Sequence, residues 1–329
     1  MTPIDEPFKA GHLIKEIGRG KKGARSMSRA DARELYAAML DGRVSDLELG
    51  AVVLALRIKG ESVDEIGGFL DAAEASFTPL AAPGGAYAPV LIPSYNGARK
   101  LANLTPLLAM LLAREGVPVL VHGVIDDPGR VTTARIFEAM GLAPAASQAD
   151  VQAAFARGEP SFIPVELLAP KMARLLALRR ILHVRNSTHT LVKIMQPFAG
   201  PALRLVSYTH PEYLEMLGEY FLTAATAQRG DAFLMRGTEG ETVANANRAN
   251  QIDWFHGGAR TLLVQKDAPT DDLAQMPPAR DAAVTADWIA QALRGEVPVP
   301  GPIAEQVAQC LLVSKALQAN AGGRHGVQS

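Results

Sequence analysis

The run Val90-Leu91-Ile92-Pro93-Ser94-Tyr95-Asn96-Gly97-Ala98-Arg99-Lys100, followed by an apolar stretch to Leu112, constrains this chain most. Apolar residues that end in Pro, Ser, Asn and Gly and then resume at helical spacing read as a strand, a tight turn and a helix start. The free N–H groups and the positive dipole end of that helix favour an anion, and Arg99 and Lys100 add charge there. On this stretch alone a plain βα turn with solvated basic residues is an equally open reading.

Further apolar runs at 89–93, 118–121, 203–207, 232–235 and 261–265 predict strands. Helical spacing predicts helices over 104–113, 132–139, 150–156 (capped by Ser147) and 212–225, with a last helix over 304–317 before a Gly-rich tail expected to fray. Strands alternating with helices imply a mostly parallel sheet covered on both faces. Upstream the chain is helical. Ser28-x-x-Asp31, Ser45-x-x-Glu48 and Ser62-x-x-Glu65 each set a hydroxyl before a helix and a carboxylate three residues on, and Gly42 and Gly60 close two of the helices. With a helix over 10–17 these form a small bundle ending near Phe77, and a Pro- and Gly-rich linker follows over 78–89. The expected fold is therefore α/β, with an N-terminal helical bundle domain (1–80) and a larger α/β domain (88–329).

The single cysteine, Cys310, sits in an apolar helical pattern, so neither a disulfide framework nor a cysteine metal site is expected, and a reducing cytoplasm fits. The start of the chain lacks an apolar core after basic residues, and the longest apolar run, 106–113, is far short of a membrane span. Neither export nor membrane anchoring is expected. His122, His183, His189, His210 and His256 have no spacing that sets two on one helical face beside a carboxylate, so no metal is expected. Gly-x-Ser-x-Gly and Walker patterns are absent, and no cofactor is expected. Asp126-Asp127 and Glu239-Gly-Glu241 are candidate acid pairs, of which the first reads as turn chemistry.

A net charge of −1 over 329 residues argues against a polyanion binder, but its distribution argues the other way. Between 9 and 33 lie Lys9, Lys15, Arg19, Lys21, Lys22, Arg25, Arg29 and Arg33 against only Glu16 and Asp31. Between 171 and 204 lie Lys171, Arg174, Arg179, Arg180, Arg185, Lys193 and Arg204 with no acid. Gly18-Arg-Gly20-Lys-Lys-Gly23 has the letters of a dinucleotide fingerprint, yet it follows a helical pattern rather than a strand. What remains is a glycine loop with three cations. A solvated connection is the commoner meaning of one such run; two acid-depleted stretches in one chain favour polyanion binding.

The segments 90–100, Ala102-Asn-Leu-Thr-Pro106, Val121-His-Gly123, Arg130-Val-Thr-Thr133, Leu178-Arg-Arg180, Val184-Arg-Asn-Ser-Thr-His-Thr-Leu191 and Arg236-Gly-Thr-Glu-Gly-Glu241 resemble the anthranilate phosphoribosyltransferase-like proteins. That is the glycosyltransferase family 3 fold, the nucleoside phosphorylase type of phosphoribosyltransferase. More specifically they resemble its YbiB-type, nucleic-acid-binding branch. The likeness runs from Ile14-Lys-Glu-Ile-Gly-Arg-Gly-Lys-Lys22 to the last helix. It implies a damaged transferase site. The Gly-Thr-Gly-Gly-Asp loop that takes phosphoribosyl pyrophosphate in the enzymes is replaced by Ser94-Tyr95-Asn96-Gly97-Ala98, where Tyr95 and Asn96 are expected to block the anion. Lys-His-Gly appears as Val121-His122-Gly123, and the Asp-Glu magnesium pair falls within Glu241-Thr242-Val243, leaving one acid at most. No catalytic residue is then expected; an active transferase is the alternative.

In this fold the helical domain also takes in a segment returning from mid-chain, here about 170–196, and forms a homodimer contact. Both basic stretches would then share one two-fold surface. The resemblance thus implies a cytoplasmic homodimer that binds DNA or RNA backbones without sequence preference. Its candidate contacts are Lys15, Arg19, Lys21, Lys22 and Arg25 from the first stretch and Arg179, Arg180, Arg185 and Lys193 from the second, with Arg99 and Lys100 at the former active-site cleft.

Overall fold

Three serines set the register of the N-terminal helices. Ser28, Ser45 and Ser62 accept the N–H groups of Asp31, Glu48 and Glu65 at 3.1, 3.4 and 3.2 Å, opening α2 (Arg29–Asp41), α3 (Asp46–Lys59) and α4 (Val63–Glu74) after a short α1 (Gly11–Ile17). Glu65 returns a bond to the Ser62 N–H at 2.8 Å, completing a capping box. The same buried carboxylate accepts the Met27 N–H and the Lys59 ammonium, at 3.0 and 2.7 Å. These elements belong to a computed structural model that describes residues 6–20, 22–268 and 273–325; Lys21 lies outside the described residues.

After the linker come β1 (Val90–Ser94), α5 (Thr105–Arg114), β2 (Val119–Gly123), α6 (Thr133–Ala139), α7 (Gln148–Ala156) and β3 (Ser161–Pro164). Four short helices follow: α8 (Val165–Leu168), α9 (Pro170–Ala177), α10 (Arg179–Leu182) and α11 (Thr188–Ile194). The chain then runs through β4 (Leu203–Tyr208), α12 (Pro211–Thr223), β5 (Ala232–Arg236), β6 (Ile252–His256), β7 (Ala259–Val264), α13 (Ala282–Arg294) and α14 (Gly301–His325). The sheet order is β3-β2-β1-β4-β5-β6-β7, parallel through β5 and antiparallel for the last two pairings. Periodicity does not pick out β3, β6, α13 or the short α8, and α9 to α11 are expected only as the helical returning segment that the resemblance implies. The last helix also differs from expectation, since it begins at Gly301 and continues through Gly322 and Gly323 to His325.

Strand side chains divide by parity. Leu91, Leu120, Ile163, Val206 and Leu234 face a core continuous with the helical bundle, whereas Val90, Ile92, Val119, Val121, Leu205 and Phe233 face a second core closed by α5, α6, α13 and α14. Burial on both sides is why β1 and β2 read as unbroken apolar runs. The mid-chain segment packs back on the bundle, α9 against α2 and α11 against α4. Two buried contacts fasten it: Tyr36 OH with Thr188 Oγ1 at 2.8 Å, and Ser187 Oγ donating to Glu61 at 2.6 Å.

Candidate functional site

Going outward from β1 the chain builds β2 and β3, then returns to the other side of β1 with β4. That reversal is the switch point where open parallel sheets hold ligands. β1 and β4 pair only at Val90 with Leu203 and Leu91 with Arg204; beyond them the strands diverge and leave a crevice at their C-terminal ends. The turn after β1 lines it. Gly97 sits at φ +65, and a Cβ there would lie 2.8 Å from the Val131 carbonyl oxygen, so only glycine serves.

The backbone N–H groups of this turn do converge as an anion nest, and the protein's own carboxylates fill it. Glu241 Oε1 accepts from Asn96 N and Gly97 N at 2.9 and 2.6 Å. Glu239 Oε2 accepts from Arg99 N at 2.6 Å, and both its oxygens lie 3.0 Å from Lys100 N. Burial works to raise the Glu239 carboxyl, but the N–H groups of Lys100, Arg99 and Leu101 outweigh it and hold the group below the ordinary carboxylate range. Between the two acids, the Gly240 carbonyl accepts from Asn96 Nδ2, Ser207 Oγ and Lys193 Nζ at 2.8, 2.9 and 3.2 Å. Gly240 is at φ +92, and a Cβ there would meet Asn96 Nδ2 at 2.3 Å. The expected obstruction by Tyr95 is not how the turn is closed. Its ring points inward, edge-on to His122, and its hydroxyl meets His122 Nδ1 at 2.9 Å; burial pushes that imidazole down to about 3, so it is neutral.

The cations of the second basic stretch divide between cleft and surface. Arg185 Nη2 donates to Asn96 Oδ1 at 2.7 Å, and half-buried Lys193 reaches Gly240, because α11 lies against β1 and β4 rather than on the outer face of the bundle. Burial, then the neighbouring Arg179 and Arg130, lower the Arg185 guanidinium. Burial and Arg185 push Lys193 down to about 8, against the opposing pull of Glu241. Arg179 and Arg180 line a cavity of about 420 Å³ between α9 and the β2 end, where Arg179 faces Asp127 at 3.8 Å. Arg99 and Lys100 have exposed side chains at the rim.

From the first stretch, Lys15, Arg19, Lys22 and Arg25 are exposed at the end of α1 and the loop after it. Arg19 pairs with Glu16 at 2.5 Å; Lys15, Lys22 and Arg25 have no carboxylate partner among the described residues. Beside them runs an apolar groove of about 290 Å³ between α1 and α3, lined by Ile14, Ile17, Ala51, Ala55 and Ile58. The structure thus leaves the two basic stretches in different settings, one on an open surface and one largely in the cleft. From the sequence Glu239 and Glu241 are a candidate acid pair, Glu241 also standing where the family's magnesium pair would be, and neither is read as filling the turn; Arg57, which reaches Tyr213 at 3.2 Å, is not singled out there at all. The Glu-Gly-Glu spacing, two acids flanking a residue free to adopt positive φ, was the available signal.

A family model described as the helical bundle domain of a glycosyl transferase family matches residues 12–76. The anthranilate phosphoribosyltransferase of Novosphingobium aromaticivorans is 27% identical over 263 residues, covering 79% of this chain and 75% of that protein. Among solved structures, the anthranilate phosphoribosyltransferase of Thermus thermophilus superposes with a TM-score of 0.70 at 22% identity, over 93% of this chain and 89% of the other. The Saccharomyces cerevisiae enzyme in complex with PRPP and Mg gives 0.65 at 13% identity, over 95% and 90%. The uncharacterized protein YbiB of Escherichia coli (strain K12) is 47% identical over 304 residues, covering 92% of this chain and 93% of that protein. With that identity over nearly its whole length and with this fold, the chain belongs to the YbiB family of anthranilate phosphoribosyltransferase-like proteins.

Proposed function

We propose that this protein binds DNA or RNA through backbone phosphates, without sequence preference, as a cytoplasmic homodimer on a transferase scaffold that no longer takes phosphoribosyl pyrophosphate. The observation that carries this reading is the self-occupied turn. Glu239 and Glu241 already use the N–H groups of residues 96, 97, 99 and 100, and an incoming pyrophosphate would meet two carboxylates there. Glu241 Oε1 is committed to two of those N–H groups, and the Thr242-Val243 that follows supplies no second acid for magnesium. The exposed, unpaired cations at the end of α1 supply the other half of the argument, because Lys and Arg that neutralise phosphates release counterions. Residues 9–35 contain no Phe, Tyr or Trp, so charge rather than base stacking would provide the grip.

Fluorescence anisotropy with single-stranded DNA, duplex DNA and RNA at two salt concentrations tests it. All three should bind, and all should weaken steeply with salt; absence of binding at low salt sinks the reading. The second reading, an active transferase, is favoured by the likeness to anthranilate phosphoribosyltransferases in sequence and fold. Calorimetry with phosphoribosyl pyrophosphate and magnesium separates the two. No heat of binding is expected, and saturable micromolar binding or turnover of anthranilate would replace the first reading with the second.

A further inference from the structure

On the far side of α11 from the larger cavity lies a smaller one of about 100 Å³, between α3, α11 and the start of α12. Its walls carry Arg57, Arg185 and Lys193 together with His189 and His210, and no Asp or Glu among the described residues. Each of the three long cations has a single neutral partner among those residues: Tyr213 OH for Arg57, Asn96 Oδ1 for Arg185 and the Gly240 carbonyl for Lys193. A guanidinium has five N–H donors and an ammonium three, so most of this donor capacity is unspent. Ser207 and Thr209 add hydroxyls to the same wall.

We infer that this cavity is a site for a phosphate monoester, distinct from the occupied turn after β1. Gathering three cations in a half-enclosed space without a carboxylate is unfavourable until an anion enters, and a dianion with several acceptor oxygens matches their donors. Burial lowers both Arg185 and Lys193, and repulsion adds to it, from Arg179 and Arg130 outside the cavity on Arg185 and from Arg185 on Lys193, whose charge Glu241 partly offsets; an entering anion relieves both costs. The cavity of about 100 Å³ has room for a phosphate group. His189 lines both this cavity and the larger one, so a sugar carried by the phosphate has room on the other side of that residue. The monoester is either the terminal phosphate of a nucleic-acid strand or a free sugar phosphate.

Calorimetry on the full chain distinguishes these sources. The probes are inorganic phosphate, ribose 5-phosphate against ribose, and single-stranded 12-mers with a 5′-phosphate, a 3′-phosphate or neither. At least one phosphorylated probe should bind on the order of tenfold more tightly than its unphosphorylated counterpart, the loss expected for one charge-assisted contact. A preference confined to the oligonucleotides assigns strand ends; one shared by ribose 5-phosphate assigns a free ligand, whether or not nucleic acid binds at all. Arg57→Gln and Lys193→Gln should abolish the preference. Arg57 is exposed, so its variant decides alone if the other fails to fold. Equal affinity for every phosphorylated and unphosphorylated pair, with no binding of inorganic phosphate, overturns the site, as does a folded Arg57→Gln protein that keeps the full preference.

Discussion

Glu239 is one of two described non-glycine residues at positive φ, 54°, a backbone conformation that costs of order 1 kcal/mol or more and persists where surroundings over-determine it. Here the surroundings are the N–H groups that its carboxylate caps. Because that carboxyl is held below its ordinary value, its contribution is present above about pH 4.3, the unperturbed value, and is lost as pH falls through the lower folded value. Denaturation of wild type and Glu239→Gln should therefore differ at neutral pH, with the gap closing on acidification; a gap that stays constant to about pH 3 means the charge is not what the turn uses. Glu65 makes a stronger case for stability. Glu65→Ala leaves the nearly buried Lys59 ammonium without its partner and frees the Met27 N–H, so chemical denaturation should show a loss of about 3 kcal/mol or more.

Among elements, the loop after α1 is where charge and exposure coincide. Replacing Lys21, Lys22 and Arg25 by alanine should flatten the slope of log affinity against log salt by roughly 0.7 per lost contact on single strands and 0.9 on duplex, with sequence preference unchanged. Unaltered slope and affinity in a normally folded variant would make the loop a solvated connection. This loop was legible in the sequence because its charges have few local acids, and the helix starts were legible because Ser28, Ser45 and Ser62 act within three residues of themselves. The central parallel strands announced themselves by two-sided burial. The cleft was not legible in the same way. Glu239 meets Arg99 across 140 residues and Arg185 meets Asn96 across 89, and whether Lys193 faces solvent or sheet depends on the rotation of α11 against β1, which a seven-residue helix does not fix by its own pattern.

For the whole molecule the proposed dimer makes the most exposed demand. Leu47, Leu54 and Ile58 of α3 are 86%, 41% and 70% exposed, an apolar face that a single chain in water has no reason to keep bare. Light scattering should give twice the 34.9 kDa chain mass, and Leu54→Asp with Ile58→Asp should yield a folded monomer with weakened nucleic-acid binding. A wild-type monomer at micromolar concentration would overturn the dimer and leave each α1 loop to bind alone. The bundle is also discontinuous in the chain, since the Tyr36 hydroxyl finds its partner at Thr188, 152 residues later. During synthesis at about 5–20 residues per second, Tyr36 of α2 emerges roughly 8 to 30 seconds before the Thr188 that covers it. The nascent bundle therefore keeps an apolar surface uncovered for nearly half of the chain's synthesis, an interval in which a ribosome-bound chaperone has a binding surface that the finished fold withdraws.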